Sequence, residues 1–402
     1  MLFISSGSPP GSPQAGGVWT YILCVAPALV LRGHEVHVLV CADKQSPADY
    51  DLQGVHIHCR GMMRIPGFRR LQRFLLPGTL MRLRFGMTTL SEYRRLGVDF
   101  DVVEYPDWNA AGVGIGTVRP VATVAQLHGI PDIWEHHGKA PTLDVRWAAF
   151  LERLALNRAH VVVASSHAHA RAHRDIGWFT HRDVEVLPLP IDWINWRDVP
   201  PADQTKPIVL FLGRVARWKA PEILVQAMAI VRRAIPDAEA RFIGHVGRRE
   251  GIPYPEWMAR NGCDLTGCSF LGHVPRDQVR AALSAARVLA LPSRFESFGL
   301  VAAEAMSAAR PVVVTAATGI SELLRETGGG VVVPPGDPAA FAEALLPFLR
   351  NPEHAVAVGG AGRAAVRDRL APERIAARRE IIYEQAVGSF GQKRRLRAAV
   401  RQ

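Results

Sequence analysis

The chain has 402 residues, 48% hydrophobic and 21% charged, which suits two globular domains and excludes an intrinsically disordered chain. Its net charge of +11 calls for anionic partners; with no zinc finger, RNP motif or helix-turn-helix, nucleic acid is set aside, and anionic lipid or a nucleoside diphosphate remains. The five scattered cysteines, the lack of a signal peptide and a longest apolar run of only 21–31 make a reducing, cytoplasmic location the expectation, without a bilayer span.

Residues 2–5 are expected as the first strand. A Pro/Gly/Ser loop then leads through Gly16 and Gly17 into a helix over 18–32, which Gly33 stops. Residues 36–40 form the next strand of a βαβ unit, with the glycine pair at the helix N-terminus, where a phosphate can approach the backbone. From 59 to 87 the composition changes. Arg60, Arg64, Arg69, Arg70, Arg73, Arg82 and Arg84 alternate with Met62, Ile65, Phe68, Leu71, Phe74 and Leu75, and no acid interrupts them. Phe68, Leu71 and Leu75 share a helical face. The segment reads either as an amphipathic helix lying on an anionic membrane or as a helix packed on its own domain with solvated arginines. Strands at 101–103 and 121–127 end in Glu104 to Asn109 and in His128-Gly129, and functional residues of open α/β sheets collect at such carboxyl ends. His167, His169 and His173 do not all share one helical face and no carboxylate completes them, so they are expected at the surface and no metal site is expected. Another strand at 161–166 precedes a proline-rich linker over 186–192, where the first domain, 1–190, closes.

The second domain, 191–371, restarts the pattern. A strand at 207–212 is followed by Gly213-Arg214, then Lys219, then a helix over 221–235 and a strand at 239–243. Arg214 as a fork and Lys219 as a point charge are suited to a pyrophosphate. The loop containing Val274 leads to a helix over 277–286. Residues 288–291 are a buried strand, Pro292-Ser293-Arg294 breaks it, and a helix starts near Phe298-Gly299-Leu300 and runs to 308, before a strand at 311–314. Glu296 and Glu304 bracket that helix start. The first amides of the helix have no partner inside it, and its dipole favours phosphate; Glu304, a turn further in, suits hydroxyls and would repel phosphate. Phosphate and diol recognition side by side point to a sugar nucleotide. A helix over 372–388 is expected to return to the first domain, ahead of a basic tail at 391–402.

The run E-S-F-G-L-V-A-A-E-A-M from Glu296, followed by R-P-V-V-V, resembles the E-x7-E donor motif of the retaining GT-B glycosyltransferases of family 4. G-R-x4-K from Gly213 is similar to the diphosphate clamp of that family, with Ala220 in place of its usual glycine, and L-H-G around His128 is similar to its histidine beside the transferred sugar. The resemblance implies two Rossmann-like, doubly wound parallel-sheet domains facing across a cleft. It implies transfer, with retention, from a UDP- or GDP-sugar to a sugar, lipid-linked or small-molecule hydroxyl acceptor in polysaccharide, glycolipid or glycoconjugate synthesis. His128 and Glu296 are then catalytic. Gly16, Gly17, Arg214, Lys219, Val274, Ser297, Phe298, Gly299, Leu300 and Glu304 bind the donor, Glu304 through its ribose. No cofactor or metal is expected, because the basic pair meets the diphosphate charge. A sugar-nucleotide 2-epimerase of the same architecture is the enzyme alternative. A non-catalytic anion- or lipid-binding protein would leave the two glutamates without a role, and a dinucleotide oxidoreductase lacks its G-x-G-x-x-G. The basic segment adds peripheral contact with the inner face of the membrane to the expected location.

Overall fold

The computed structural model describes residues 1–6, 17–43, 46–68, 76–115, 120–129, 141–179 and 182–400, with 393–400 as backbone alone. The chain divides into two compact units, Met1–Pro188 together with Pro372–Gln402, and Leu189–Ala371. Each is a Rossmann-like α/β unit on a parallel sheet.

In the first unit the strands are β1 (Leu2–Ser6), β2 (His37–Ala42), β3 (Ala48–Leu52), β4 (Val55–Gly61), β5 (Val102–Pro106), β6 (Ala122–Gln126), β7 (Val161–Ala164) and β8 (Glu185–Val186). Their order in the sheet is β3-β4-β2-β1-β5-β6-β7-β8, and β3 runs antiparallel to β4 at the edge. Strands β5 and β6 are buried along their whole length and β1 nearly so, as expected where helices cover both faces of a parallel sheet. The order reverses between β1 and β5, in register at Leu2 and Val103, which opens a crevice at the carboxyl ends there. The helix Pro372–Val400 packs on the helix Gly17–Leu31 and on β5, β6 and β7, so the last segment of the chain belongs to this unit. The basic stretch expected as a tail beyond Gly391 continues that helix to Val400, in keeping with the good helix propensity of its Lys, Arg, Leu and Ala.

That helix is pinned by a buried polar network. Arg379 donates to Glu104 at 3.3 Å and to Gln126 at 2.7 Å. Tyr21 and Tyr383 donate to the same carboxylate at 2.6 and 2.8 Å. Arg379 is fully buried and Glu104 nearly so; an isolated charge here would be costly, and the shared partners offset that cost.

The arginine-rich segment differs from expectation. Its first residues close strand β4, and the next described helix begins only at Pro77 (Pro77–Leu96). Arg60 pairs with Asp49 and Glu92, Arg84 with Asp43, and Arg82 is buried against Glu152 at 2.6 Å. The acids missing from the local sequence arrive from other elements. Arg64 is exposed; Arg69, Arg70, Leu71, Arg73, Phe74 and Leu75 lie outside the described residues. Among the described residues no helix is long and apolar enough to cross a membrane.

The second unit holds β9 (Ile208–Leu212), β10 (Glu239–Ile243), a small hairpin β11 (Arg248–Arg249) and β12 (Ile252–Pro253), then β13 (Cys268–Gly272), β14 (Val288–Leu291), β15 (Val312–Thr315) and β16 (Gly330–Val333). The main sheet runs β13-β10-β9-β14-β15-β16. Val209, Phe211, Leu224, Met228, Phe242, Phe341 and Leu345 form its core. From β9 the chain builds outward to β13, then returns to lay β14 on the other flank of β9. The topological switch point therefore lies between β9 and β14, and the loops leaving their carboxyl ends face one crevice.

Candidate active site

The loop after β9 turns at Gly213 and Gly244, whose backbones touch: a Cβ on Gly244 would lie 2.1 Å from the Gly213 carbonyl oxygen. Only glycine permits that approach. A single 3-10 turn, Arg217–Lys219, then delivers Lys219, and Ala220 follows in the left-handed region at φ 46°. The position where the family pattern has glycine thus keeps the glycine conformation, at the steric cost an L-residue bears there. The loop after β14 locks onto this one. The Arg294 amide donates to the Trp218 carbonyl at 2.8 Å, and its guanidinium donates to the Arg217 carbonyl at 2.6 Å and to buried Glu222 at 2.8 Å.

Between the two loops Lys219 donates to Glu296. Both side chains are mostly buried, at 15% and 17% exposure. Burial draws the Lys219 ammonium down to about 8, while the touching carboxylate favours the charged form. Arg214, from the same loop, is exposed and stacks over Trp218 at 5.2 Å. The structure brings Lys219 to Glu296 and leaves Arg214 on the rim.

Glu296 is held by its backbone. Its amide donates to the Ala317 carbonyl at 3.1 Å, and its carbonyl accepts from the Gly319 amide at 3.0 Å. Phe298 is buried, and its carbonyl accepts from Ile320. Gly299 adopts φ +103°, with Thr318 Cγ2 3.0 Å from where a Cβ would stand, and the helix begins at Leu300 (Leu300–Ser307), within the stretch the sequence indicates. No side chain caps it; its first amides remain available to an anion. Glu304 lies one turn in. Burial raises its carboxyl, and Arg276, 3.6 Å away, opposes that rise. Arg276 comes from the start of the helix Arg276–Ala285, two residues after Val274, and so ties the loop after β13 to Glu304. Ser297 is partly exposed beside Phe298. Arg276, Arg294 and Glu222 escaped the sequence reading, because no local spacing marks residues that meet only through the fold.

In the first unit, His128 lies two residues beyond β6, its ring 5.3 Å from that of Tyr21 and 5.5 Å from that of Trp108. Asp107, at the end of β5, accepts from the amides of His128 and Gly129 at 3.1 and 3.3 Å. Burial drives His128 down to about 3, so it is a neutral imidazole and not a proton donor near neutral pH. Gly17 opens the helix Gly17–Leu31 and is exposed; Gly16 lies outside the described residues.

The histidine cluster expected at the surface is corrected in part. His167 is exposed, whereas His169 and His173 are fully buried, one turn apart on the helix His167–Asp175, and Asp107 is the carboxylate beside them. Both nitrogens of His169 are engaged, by Ser165 Oγ at 3.0 Å and the Gly129 carbonyl at 2.7 Å. The cluster braces the turn that carries His128. Burial lowers His169 to about 3 and His173 to about 4 and raises Asp107 to about 7.

Two doubly wound units, one with a lysine and two glutamates around an uncapped helix start at its switch point, define a glycosyltransferase of the GT-B class. A family model described as Glycosyltransferase Family 4 matches residues 15–193, and one described as Glycosyl transferases group 1 matches 206–351. A D-inositol 3-phosphate glycosyltransferase of Kineococcus radiotolerans is 30% identical over 388 residues, 87% of this chain and 86% of the relative. The chain belongs to glycosyltransferase family 4. Among solved structures it is similar to a sucrose-phosphate synthase from Thermosynechococcus elongatus, with a TM-score of 0.74 and 22% identity over 96% of this chain and 99% of the other. It is also similar to Anabaena HepE in complex with UDP and glucose, with a TM-score of 0.66 and 19% identity over 95% and 98%.

Proposed function

We propose that this glycosyltransferase moves a sugar from a nucleoside diphosphate sugar to a hydroxyl of a small polyhydroxylated acceptor, with retention at the anomeric carbon. The observation that carries the donor reading is the Lys219–Glu296 pair beside the uncapped start of the helix Leu300–Ser307. The departing diphosphate develops negative charge, and preorganised positive groups stabilise it most where water is excluded. Lys219 and the first helix amides supply that environment, with Arg214 at the rim, so the reading needs no metal ion. Glu296 is the acceptor for sugar hydroxyls and Glu304 for the ribose. His128, neutral and held by Asp107 through its amide, contributes a hydrogen bond and not a proton transfer.

Two names support the substrate classes. HepE is described with UDP and glucose, which favours a UDP-sugar; the curated relatives are called D-inositol 3-phosphate glycosyltransferases, which favours a phosphorylated cyclitol acceptor. The test has two stages. UDP-, GDP- and ADP-sugars are first compared as protectors against thermal unfolding. The best donor is then incubated with inositol phosphate and the product examined by proton NMR. An α-linked donor is expected to give an α-linked product. Inversion, or protection by none of the donors, contradicts the proposal.

A further inference from the structure

At the opposite end of the first sheet from His128, the register of three strands sets up a row of imidazoles. Across β2 and β4, His37 faces His56, and across β4 and β3, His56 faces Asp51 and His58 faces Asp49. Facing residues on one sheet surface lie within reach of each other. The side chains use that reach: Asp51 binds His56 Nδ1 at 2.5 Å, Asp49 binds His58 Nδ1 at 3.0 Å, and His58 Nε2 meets His37 Nδ1 at 3.0 Å. His37 Nε2 then meets the Glu35 carboxylate at 2.9 Å.

A count of protons exposes a shortfall. The chain Glu35–His37–His58–Asp49 has three gaps, each needing one hydrogen, while two neutral imidazoles bring only two, since carboxylates only accept. The third gap is closed either by a proton on one imidazole or by another cation seated there. His56 adds a third donor at the Glu35 end: its Nδ1 is fixed as the protonated nitrogen by Asp51, which leaves the Nε2 lone pair for a ligand. One ligand atom from each of Glu35, His37 and His56 lies within 4.8 Å of the others. A carboxylate behind a ligating histidine is the arrangement that sets tautomer and raises basicity in metal sites. Two imidazoles and one carboxylate suit a borderline divalent ion such as zinc.

We propose that Glu35, His37 and His56 bind a divalent transition-metal ion of the zinc class, with Asp51 orienting His56. The ion would staple β4, and through Asp51 the edge strand β3, to the start of β2, and it is independent of the donor site. Glu35 is exposed, at 69% for its side chain, so its replacement leaves the core intact.

Untagged full-length protein, dialysed against chelator, is titrated with zinc by calorimetry and followed by thermal unfolding. Wild type is expected to take one equivalent and to unfold at higher temperature with zinc. Glu35→Gln and His56→Ala should each weaken binding at least tenfold, and Asp51→Asn by about tenfold to a hundredfold. Should His56→Ala fold poorly without metal, Glu35→Gln decides alone. Failure of wild type to bind zinc means that a proton fills the gap and overturns the proposal. So does unchanged affinity in Glu35→Gln, which would place the ion elsewhere.

Discussion

Lys219 and Glu296, 77 residues apart in sequence, form a direct ion pair at the carboxyl ends of two adjacent strands. The adjacency of β9 and β14 makes it possible, and the Arg294 clamp between their loops fixes it. A diphosphate that takes Lys219 must displace the carboxylate, which is then free for the sugar. Glu296→Gln removes the competitor. It is therefore expected to bind UDP at least as tightly as wild type while its turnover falls, as calorimetry and initial rates would show. Markedly weaker UDP binding in this variant would mean that Glu296 holds the nucleotide itself.

Glu304 should behave in the opposite way. As the ribose partner it touches free nucleotide and nucleotide sugar alike, so Glu304→Gln should weaken both by a similar factor, about tenfold for a lost hydrogen bond to a charged group. Competition binding with UDP and a UDP-sugar tests this, and an effect confined to turnover would reassign the residue.

The lysine also sets a pH dependence. Its folded value of about 8 lies below the ordinary 10.5. The unfolded chain therefore holds this proton more tightly, and the residue costs stability below pH 8, a cost relieved as pH rises from about 8 towards 10.5. Diphosphate binding needs the charged form and should weaken through the same window. In Glu296→Gln, without the carboxylate that favours the ammonium, the midpoint should move lower. An affinity for UDP flat from pH 7 to 9.5 would contradict the role given to Lys219.

Much of this was legible locally. The strand β14, its break at Pro292, the helix over 300–307 and the strand β15 follow from apolar runs and breakers, and the spacing of Glu296 and Glu304 is itself local. Pairings that depend on strand order were not legible. Arg276 reaches Glu304, and Arg294 reaches Glu222, only because the sheet sets their loops side by side. The same limit misplaced His169 and His173: the spacing gives the three histidines no common helical face, but the carboxylate beside two of them, Asp107, comes from the end of β5. Arg60, Arg82 and Arg84 looked unpaired for the same reason.

Gly299 should be irreplaceable. Alanine there would adopt φ +103° and crowd Thr318 at 3.0 Å and Ile320 at 3.3 Å; the left-handed conformation alone costs about 1–2 kcal/mol. Gly299→Ala is expected to lose that much stability in urea unfolding and to weaken UDP binding, because the helix start shifts. Wild-type stability and affinity would show that the turn is not needed.

The buried pair Arg379–Glu104 anchors the last helix. Removing one partner strands the other charge away from water, so Arg379→Met should cost about 3–5 kcal/mol. Pairing it with Glu104→Gln should recover part of that loss in a double-mutant cycle. Additive losses would mean that the two residues act independently.

If Lys219 holds the donor diphosphate, calorimetric titration of UDP must distinguish wild type from Lys219→Met. Wild type should bind, and the variant should bind at least about tenfold more weakly, the loss of one charge-assisted hydrogen bond. Equal affinities in the two proteins would contradict the assignment of the donor site.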